Sequence, residues 1–327
     1  MISCSVTTES WDYQTPFRIA RGVADALDVI VVELRDATGH IGRGEAAGVD
    51  YDGDLIGDMV AQIEAFGGTL PTGLDRTALL DVLPAGGARN ALDCALWDLE
   101  AKASGVPAWQ TAGLTNALPV TTASTIGIGT PDEVWAKALT MTDWPLIKIK
   151  VDGDSHIELI RIVHDICPAA RLIVDANQAW SFAQLDALAP ELATLGVALI
   201  EQPLAKGNDG ALRAYRHAVP LAADESCTDR ASVAALAGLY HFVNIKLDKT
   251  GGLTEALAVA AAARQHQLGI MIGCMAGTSL AMAPAAIIAQ QAGFVDLDGP
   301  LLHTNDRLHG LKYKHGAMEF PEPALWG

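Results

Sequence analysis

From Val120 onward, short apolar runs recur along the chain, each followed by a stretch with helical spacing. The runs read TTASTI, LIKIKV, LIVDA, ALIEQP, LAADES, FVNIKLD, GIMIGCM and FVDLDGP. One residue near the C-terminal end of each serves as a marker: Thr125, Lys150, Asp175, Glu201, Asp224, Lys246, Gly273 and Asp298. The markers lie roughly 22 to 27 residues apart, the length of one βα unit. Helix start signals stand between the runs, such as Thr130 before Pro131 and Asp229 before RASVAALAGL. Eight strands alternating with helices predict a parallel (β/α) barrel. An open doubly wound sheet fits less well, because no Gly-rich phosphate loop follows the first strand.

Up to about Asn116 the rhythm differs. Asp28 to Leu34 reads as a strand that turns through Ala37, Thr38 and Gly39 into His40 to Ala46, the pattern of an antiparallel hairpin. Ala88 to Gly105 has helical spacing, with Leu92, Ala95, Leu96 and Leu99 on one face and Gly105 placed to end it. This part reads as an α+β unit.

Composition narrows the partners. Half of the 327 residues are apolar and 19% are charged, which suits one large barrel with an attachment. Acidic residues outnumber basic ones 39 to 22, a formal net charge of -17. Such a surface repels nucleic acid and anionic lipid, so neither is expected as a partner. The five cysteines are odd in number and form no CxxC pair, which suits a reducing cytosol. No apolar run is long enough to span a membrane, and the first 13 residues lack a signal core. A soluble cytoplasmic protein is expected, with room for a homo-oligomer.

Charges appear only at the ends of the apolar runs, and buried charges need a partner or a metal. Barrel enzymes place their active sites at the C-terminal ends of the strands. Asp175, Glu201 and Asp224 end strands three, four and five, so three carboxylates reach one opening. Hard oxygen ligands of this kind suit Mg2+ rather than zinc. Lys148 and Lys150 share one face of strand two. Two ammonium groups that close are expected to lower at least one pKa, which prepares a lysine to act as a base. Lys246 ends strand six, across the ring from strand two. Bases on opposite faces of a carbon beside a carboxylate can remove a proton from one side and return one to the other. A divalent ion gripping the enediolate oxygens supplies the electrostatic stabilisation for that step.

The motifs KIK (Lys148 to Lys150), VDANQAW (Val174 to Trp180), IEQP (Ile200 to Pro203), ADES (Ala223 to Ser226) and NIKLDKTGG (Asn244 to Gly252) resemble the enolase superfamily, in its muconate-lactonizing-enzyme subgroup. The resemblance covers essentially the whole chain. It implies a modified TIM barrel of the (β/α)7β type over residues 117–305, an N-terminal α+β capping domain over 1–116, and a C-terminal segment, 306–327, that returns to the cap. It implies one Mg2+ held by Asp175, Glu201 and Asp224, and Lys150 and Lys246 as acid and base. Lys148 would help neutralise a substrate carboxylate, Thr125 would touch substrate, and Asn177 and Glu225 would support the ligands from behind.

Asp296 and Asp298 share one face at the end of strand eight. This Asp-x-Asp resembles the dipeptide epimerases, where the pair holds the substrate's α-ammonium group. The segment TPFRIARG (Thr15 to Gly22) resembles the mobile loop over the site of L-Ala-D/L-Glu epimerases, with Arg21, or Arg18 after a one-residue shift, bound to the glutamate side chain. One departure is Ala276–Gly277, where many subgroup members carry an acidic residue. The resemblance therefore implies a Mg2+-dependent isomerase of small dipeptides such as L-Ala-D/L-Glu, as in recycling of cell-wall peptides (peptidoglycan). Cycloisomerases and o-succinylbenzoate synthases of the subgroup are alternatives, but their substrates lack the ammonium group. A Schiff-base barrel aldolase using Lys246 would leave the three carboxylates without a purpose, and a non-catalytic role would leave the whole constellation without one.

Overall fold

The computed structural model describes residues 1–19, 22–154 and 156–327, with the side chains of 17–19 and 156 left aside. Arg21 lies outside the described residues, as does the side chain of Arg18.

Three strands open the chain: β1 (Ser3–Ile19), β2 (Gly22–Arg35) and β3 (Ile41–Ala46) pair antiparallel in that order. Helices α1 (Ile56–Glu64), α2 (Arg76–Val82), α3 (Gly87–Ser104) and α4 (Ala108–Thr111) follow, then the short β4 (Val120–Thr121). The alternating part comprises β5 (Ser124–Ile126), α5 (Pro131–Leu139), β6 (Leu146–Lys150), α6 (His156–Ile166), β7 (Arg171–Asp175), α7 (Phe182–Thr194), β8 (Val197–Glu201), β9 (Leu221–Ala223), α8 (Val233–Leu236), β10 (Phe242–Ile245), α9 (Leu247–Thr250), α10 (Leu253–Gln265), β11 (Gly269–Ile272), α11 (Ser279–Ala289) and β12 (Phe294–Val295). Finally β13 (Tyr313–Lys314) and β14 (Ala317–Met318) pair with β4.

Strands β5 to β12 form one parallel sheet in chain order. The amide of Ala123 donates to the Val295 carbonyl (2.8 Å), and Leu297 N donates to Thr122 Oγ1 (2.9 Å), so the first and last strands meet. The barrel, the hairpin from Asp28 to Ala46 and the long helix ending at Gly105 match the sequence pattern. Thr130 caps α5 with a capping box to Glu133. Two connections differ from expectation. A 3-10 turn at Asp209–Ala214 follows β8, and the helix expected from Asp229 is reduced to α8. There Ala237 is extended and Gly238 takes a φ of 77°, which ends the helix after one turn.

The barrel interior is built in layers set by the two-residue period of strands. Ala123, Leu146, Ile173, Leu199, Ala222, Met271 and Phe294 form an apolar floor, with Phe242 packed against it. Two residues further along each strand come Thr125, Lys148, Asp175, Glu201, Asp224, Asn244, Gly273 and Asp296. The polar layer thus rests directly on the floor.

Helix α3 is buried along almost its whole length because it serves two cores. Leu92, Ala95, Leu96 and Leu99 pack with the N-terminal sheet, while Cys94, Trp97 and Ala101 pack with the barrel. β3 can lie against it only because Gly42 and Gly44 lack side chains. A Cβ on Gly44 would stand 2.1 Å from the Ala91 carbonyl oxygen, and one on Gly42 2.2 Å from that of Ala95.

A buried charge cluster joins the same parts. Glu45 on β3 accepts from Thr278 N (2.7 Å) and pairs with Arg307 Nη2 (2.7 Å), which also reaches Glu9 (2.7 Å). Burial pushes the Glu45 carboxyl up, and Arg307 opposes that. Arg307→Ala leaves this carboxylate buried without its cation, and a loss of about 3 to 5 kcal/mol is expected. Thermal unfolding should show a drop of several degrees in Tm; an unchanged Tm would mean the cluster contributes nothing.

Candidate active site

The polar layer is one connected set of ions. Lys148, buried on β6, has its Nζ 3.0 Å from Asp175 Oδ2, 2.8 Å from Glu201 Oε2 and 2.8 Å from Asp296 Oδ2. Lys150 Nζ lies 2.9 Å from Asp175 Oδ2 and donates to Asn177 Oδ1 at 3.0 Å. Across the barrel, Lys246 Nζ lies 2.7 Å from Asp224 Oδ2, and Lys249 Nζ 2.6 Å from Asp224 Oδ1. Asn244 donates to Glu201 Oε1 at 2.7 Å. Strand register explains the row of carboxylates, since Lys150, Asp175 and Glu201 are direct neighbours across β6, β7 and β8. Asp224 follows one residue after β9.

The electrostatics correct one expectation. Lys148 is not lowered by its neighbour Lys150. Burial alone would pull it down, but Asp175, Asp296 and Glu201 outweigh burial and hold it well above the usual lysine value. Lys246 is likewise raised, by Asp224 and Glu201 against burial. The sign depends on carboxylates delivered by other strands. Glu201 is pushed up to about 8, by burial first and then by Asp175.

Among the described residues no group of three or more His, Cys, Asp or Glu is already gathered in a form that could hold a metal ion. Lys148 instead bridges Asp175 and Glu201, while Lys246 and Lys249 hold Asp224. The donor set still fits a hard divalent cation. Asp175, Glu201 and Asp224 are essentially fully buried, offer only oxygen, and repel one another. Glu201 Oε2 makes no hydrogen bond of good geometry despite its nearness to Lys148.

Beside these carboxylates lies a cleft of about 420 Å³ between the barrel mouth and the N-terminal sheet. Lys148, Lys150, Asn177, Lys246, Thr125, Asp296 and Asp298 all line it. Thr125 N donates to Asp298 Oδ2 at 2.6 Å. Burial and Asp296 push Asp298 up to about 7, so a cation between the two would relieve both. Glu225 is buried beside Asp224, and burial raises its carboxyl. Asn177 supports Asp175, its N donating to Oδ1 at 2.9 Å, and also lines the cleft, held at a φ of 40°. Ala276, with a φ of 69°, lines the opposite rim.

Several participants were not singled out from the sequence. Lys249 is the second cation on Asp224 and follows a ligand-type motif only three residues after Lys246. Gln202 is fully buried, accepts from Asp224 N (2.9 Å) and donates to Tyr240 Oη (3.0 Å). Asp248 accepts from Ala47 N (3.1 Å) and Gly48 N (2.9 Å), tying the loop above the cleft to α9, the helix that Lys246 begins. Burial pushes Asp248 from 3.8 up to about 7. Its contribution to stability is therefore complete below the lower value and lost as the pH rises through the upper one. A displacement of that size amounts to roughly 4 kcal/mol at most. Asp248→Asn keeps an acceptor for both amides, and should flatten the decline of Tm between pH 4 and pH 7. A wild-type slope in the variant would assign the decline to other groups.

Comparison with known proteins agrees with this architecture. Residues 1–113 match the model of the mandelate racemase / muconate lactonizing enzyme N-terminal domain, and residues 132–324 match the enolase C-terminal domain-like model. The chain belongs to this family of the enolase superfamily. It is 43% identical over 322 residues to the L-Ala-D/L-Glu epimerase of Escherichia coli K12, covering 97% of this chain and 99% of that one. An enolase family member from Agrobacterium tumefaciens, solved with bound sodium and L-Ala-L-Glu, superposes with a TM-score of 0.96 at 41% identity, with both chains fully covered. The dipeptide epimerase of Methylococcus capsulatus, complexed with Mg and L-Arg-D-Lys, gives a TM-score of 0.89 at 31% identity, covering 98% of this chain and 97% of that one.

Proposed function

We propose that this chain is a dipeptide epimerase that inverts the α-carbon of the C-terminal residue, with L-Ala-D/L-Glu as its substrate type. The observation that carries the reading is the pair of lysines: Lys150 on β6 and Lys246 after β10 line one cleft from opposite walls. The likeness to dipeptide epimerases over nearly the whole chain supports the same reaction.

Asp175, Glu201 and Asp224 are the residues that would hold Mg2+, as their oxygen-only chemistry and mutual repulsion suit it. The cation supplies positive charge opposite a substrate carboxylate while the adjacent α-carbon loses its proton. Lys246, kept as the ammonium by Asp224, is set to deliver a proton to one face of that carbon. Lys150, the more exposed of the two, is its counterpart on the other face and takes the proton away. The roles exchange when the reaction runs backwards. Lys148 concentrates positive charge at the floor of the cleft, and Asp296 and Asp298 receive the α-ammonium of the first residue. Arg21 is the proposed partner of a glutamate side chain. Recycling of cell-wall peptides is the proposed setting.

The test is incubation with L-Ala-L-Glu and Mg2+ in D2O. Proton NMR should show loss of the glutamate α-signal together with growth of the diastereomer. Absence of exchange across a panel of dipeptides would sink the reading.

A further inference from the structure

The lining of the cleft includes an aromatic side chain that the proton transfer does not use. Tyr13 lines the cleft with Cys274, Asp298 and Leu302. Its ring lies flat on His303, with centroids 4.8 Å apart and planes at 13°. The backbones of these two residues form an antiparallel bridge. On either side, Gln14 Nε2 donates to the His303 carbonyl (2.9 Å), and Thr304 N donates to the Asp12 carbonyl (2.9 Å). His303 itself is buried, and burial lowers its pKa, which keeps the imidazole a neutral platform. The bridge fixes the Tyr13 backbone, and its ring cannot swing aside without breaking the stack.

We propose that Tyr13, fixed on His303, is the specificity-determining wall for the amino-terminal residue of the substrate and restricts it to a small side chain. The inference rests on the dipeptide reading, in which Asp296 and Asp298 hold the α-ammonium. The carbon that bears this group also bears the first residue's side chain, so that side chain must point among the neighbours of Asp298. Tyr13 and Leu302 both line the cleft, Leu302 at the end of the turn that Asp298 begins, and both are bulky. A site closed by a rigid ring rejects added methylenes sterically, each by roughly ten-fold or more in kcat/KM.

The experiment compares α-proton exchange of L-Ala-L-Glu, L-Leu-L-Glu and L-Phe-L-Glu by the Mg2+-loaded wild type, Tyr13→Ala, Tyr13→Phe and Tyr13→Trp. The wild type should favour the alanyl substrate over the phenylalanyl one by about 100-fold or more in kcat/KM. Tyr13→Ala should shrink that ratio at least ten-fold, mainly through a lower KM for the bulky substrates. Tyr13→Phe, which keeps the stack, should retain the wild-type ranking. Tyr13→Trp should widen the preference, and it provides a reading even if the alanine variant folds poorly. An unchanged ranking in both the alanine and tryptophan variants overturns the wall assignment alone. A wild type that exchanges no dipeptide removes the dipeptide reading and the wall with it, so the two failures are distinguishable.

Discussion

Lys246→Ala should lower kcat for L-Ala-L-Glu epimerisation by roughly 10³-fold while the protein stays folded. General acid–base groups contribute about 10² to 10⁴ in rate, and inversion needs one such group on each face of the carbon. The variant also frees Asp224 Oδ2 from its ammonium, yet Lys249 remains on Oδ1 and keeps that carboxylate paired. Folding is therefore expected to survive, and circular dichroism checks it. The sharper measurement separates exchange from inversion. With Lys150 intact, one antipode of the reacting residue should still exchange its α-proton for deuterium without yielding the diastereomer. Lys150→Ala should show the mirror pattern with the other antipode. Normal epimerisation by either variant would dismiss the two-base assignment.

Lys148→Met should destabilise the metal-free protein by several kcal/mol, a fall of about 5 to 10 °C in Tm. The ammonium is the shared partner of Asp175, Glu201 and Asp296, and its removal leaves three close, buried carboxylates without that charge. Added Mg2+ should raise Tm in both proteins, and more in the variant, because the ion no longer competes with Lys148 for Asp175 and Glu201. Differential scanning calorimetry with and without EDTA reads this directly. If Mg2+ shifts neither protein, these carboxylates are not a divalent-cation site.

The barrel was legible because each strand is a short apolar run that ends in a polar residue. Period-two alternation carries that pattern straight into space. Leu146 and Lys148, or Leu199 and Glu201, lie on one face, so floor and polar layer are both written into single strands. What escaped were relations between distant segments. The Glu45–Arg307 pair spans 262 positions, and the Tyr13–His303 stack joins β1 to the end of the turn after β12. No local spacing announces such pairs. The lysine pKa was misjudged for the same reason: the adjacent Lys150 is visible in the sequence, whereas the three opposing carboxylates converge only on folding. The helix expected after Asp229 shows the converse, a good start signal overruled by the chain reversal at Ala237 and Gly238.

The two-sided burial of α3 bears on how such a chain can be divided. A fragment starting at Val120 would keep every barrel strand, yet it would present an open apolar seam where Cys94, Trp97 and Ala101 had lain. The converse fragment would keep the helix but bare its other flank. Trp326 Nε1 also donates to the Cys94 carbonyl (3.0 Å), and Gly327 N to Asp98 (2.7 Å), so the last residues are fastened to this same helix. The helix is a party wall, and neither room stands weatherproof without it. Recombination that exchanges the N-terminal part of this chain for a relative's would have to carry over both faces of α3 together, along with the tail that is pinned to it.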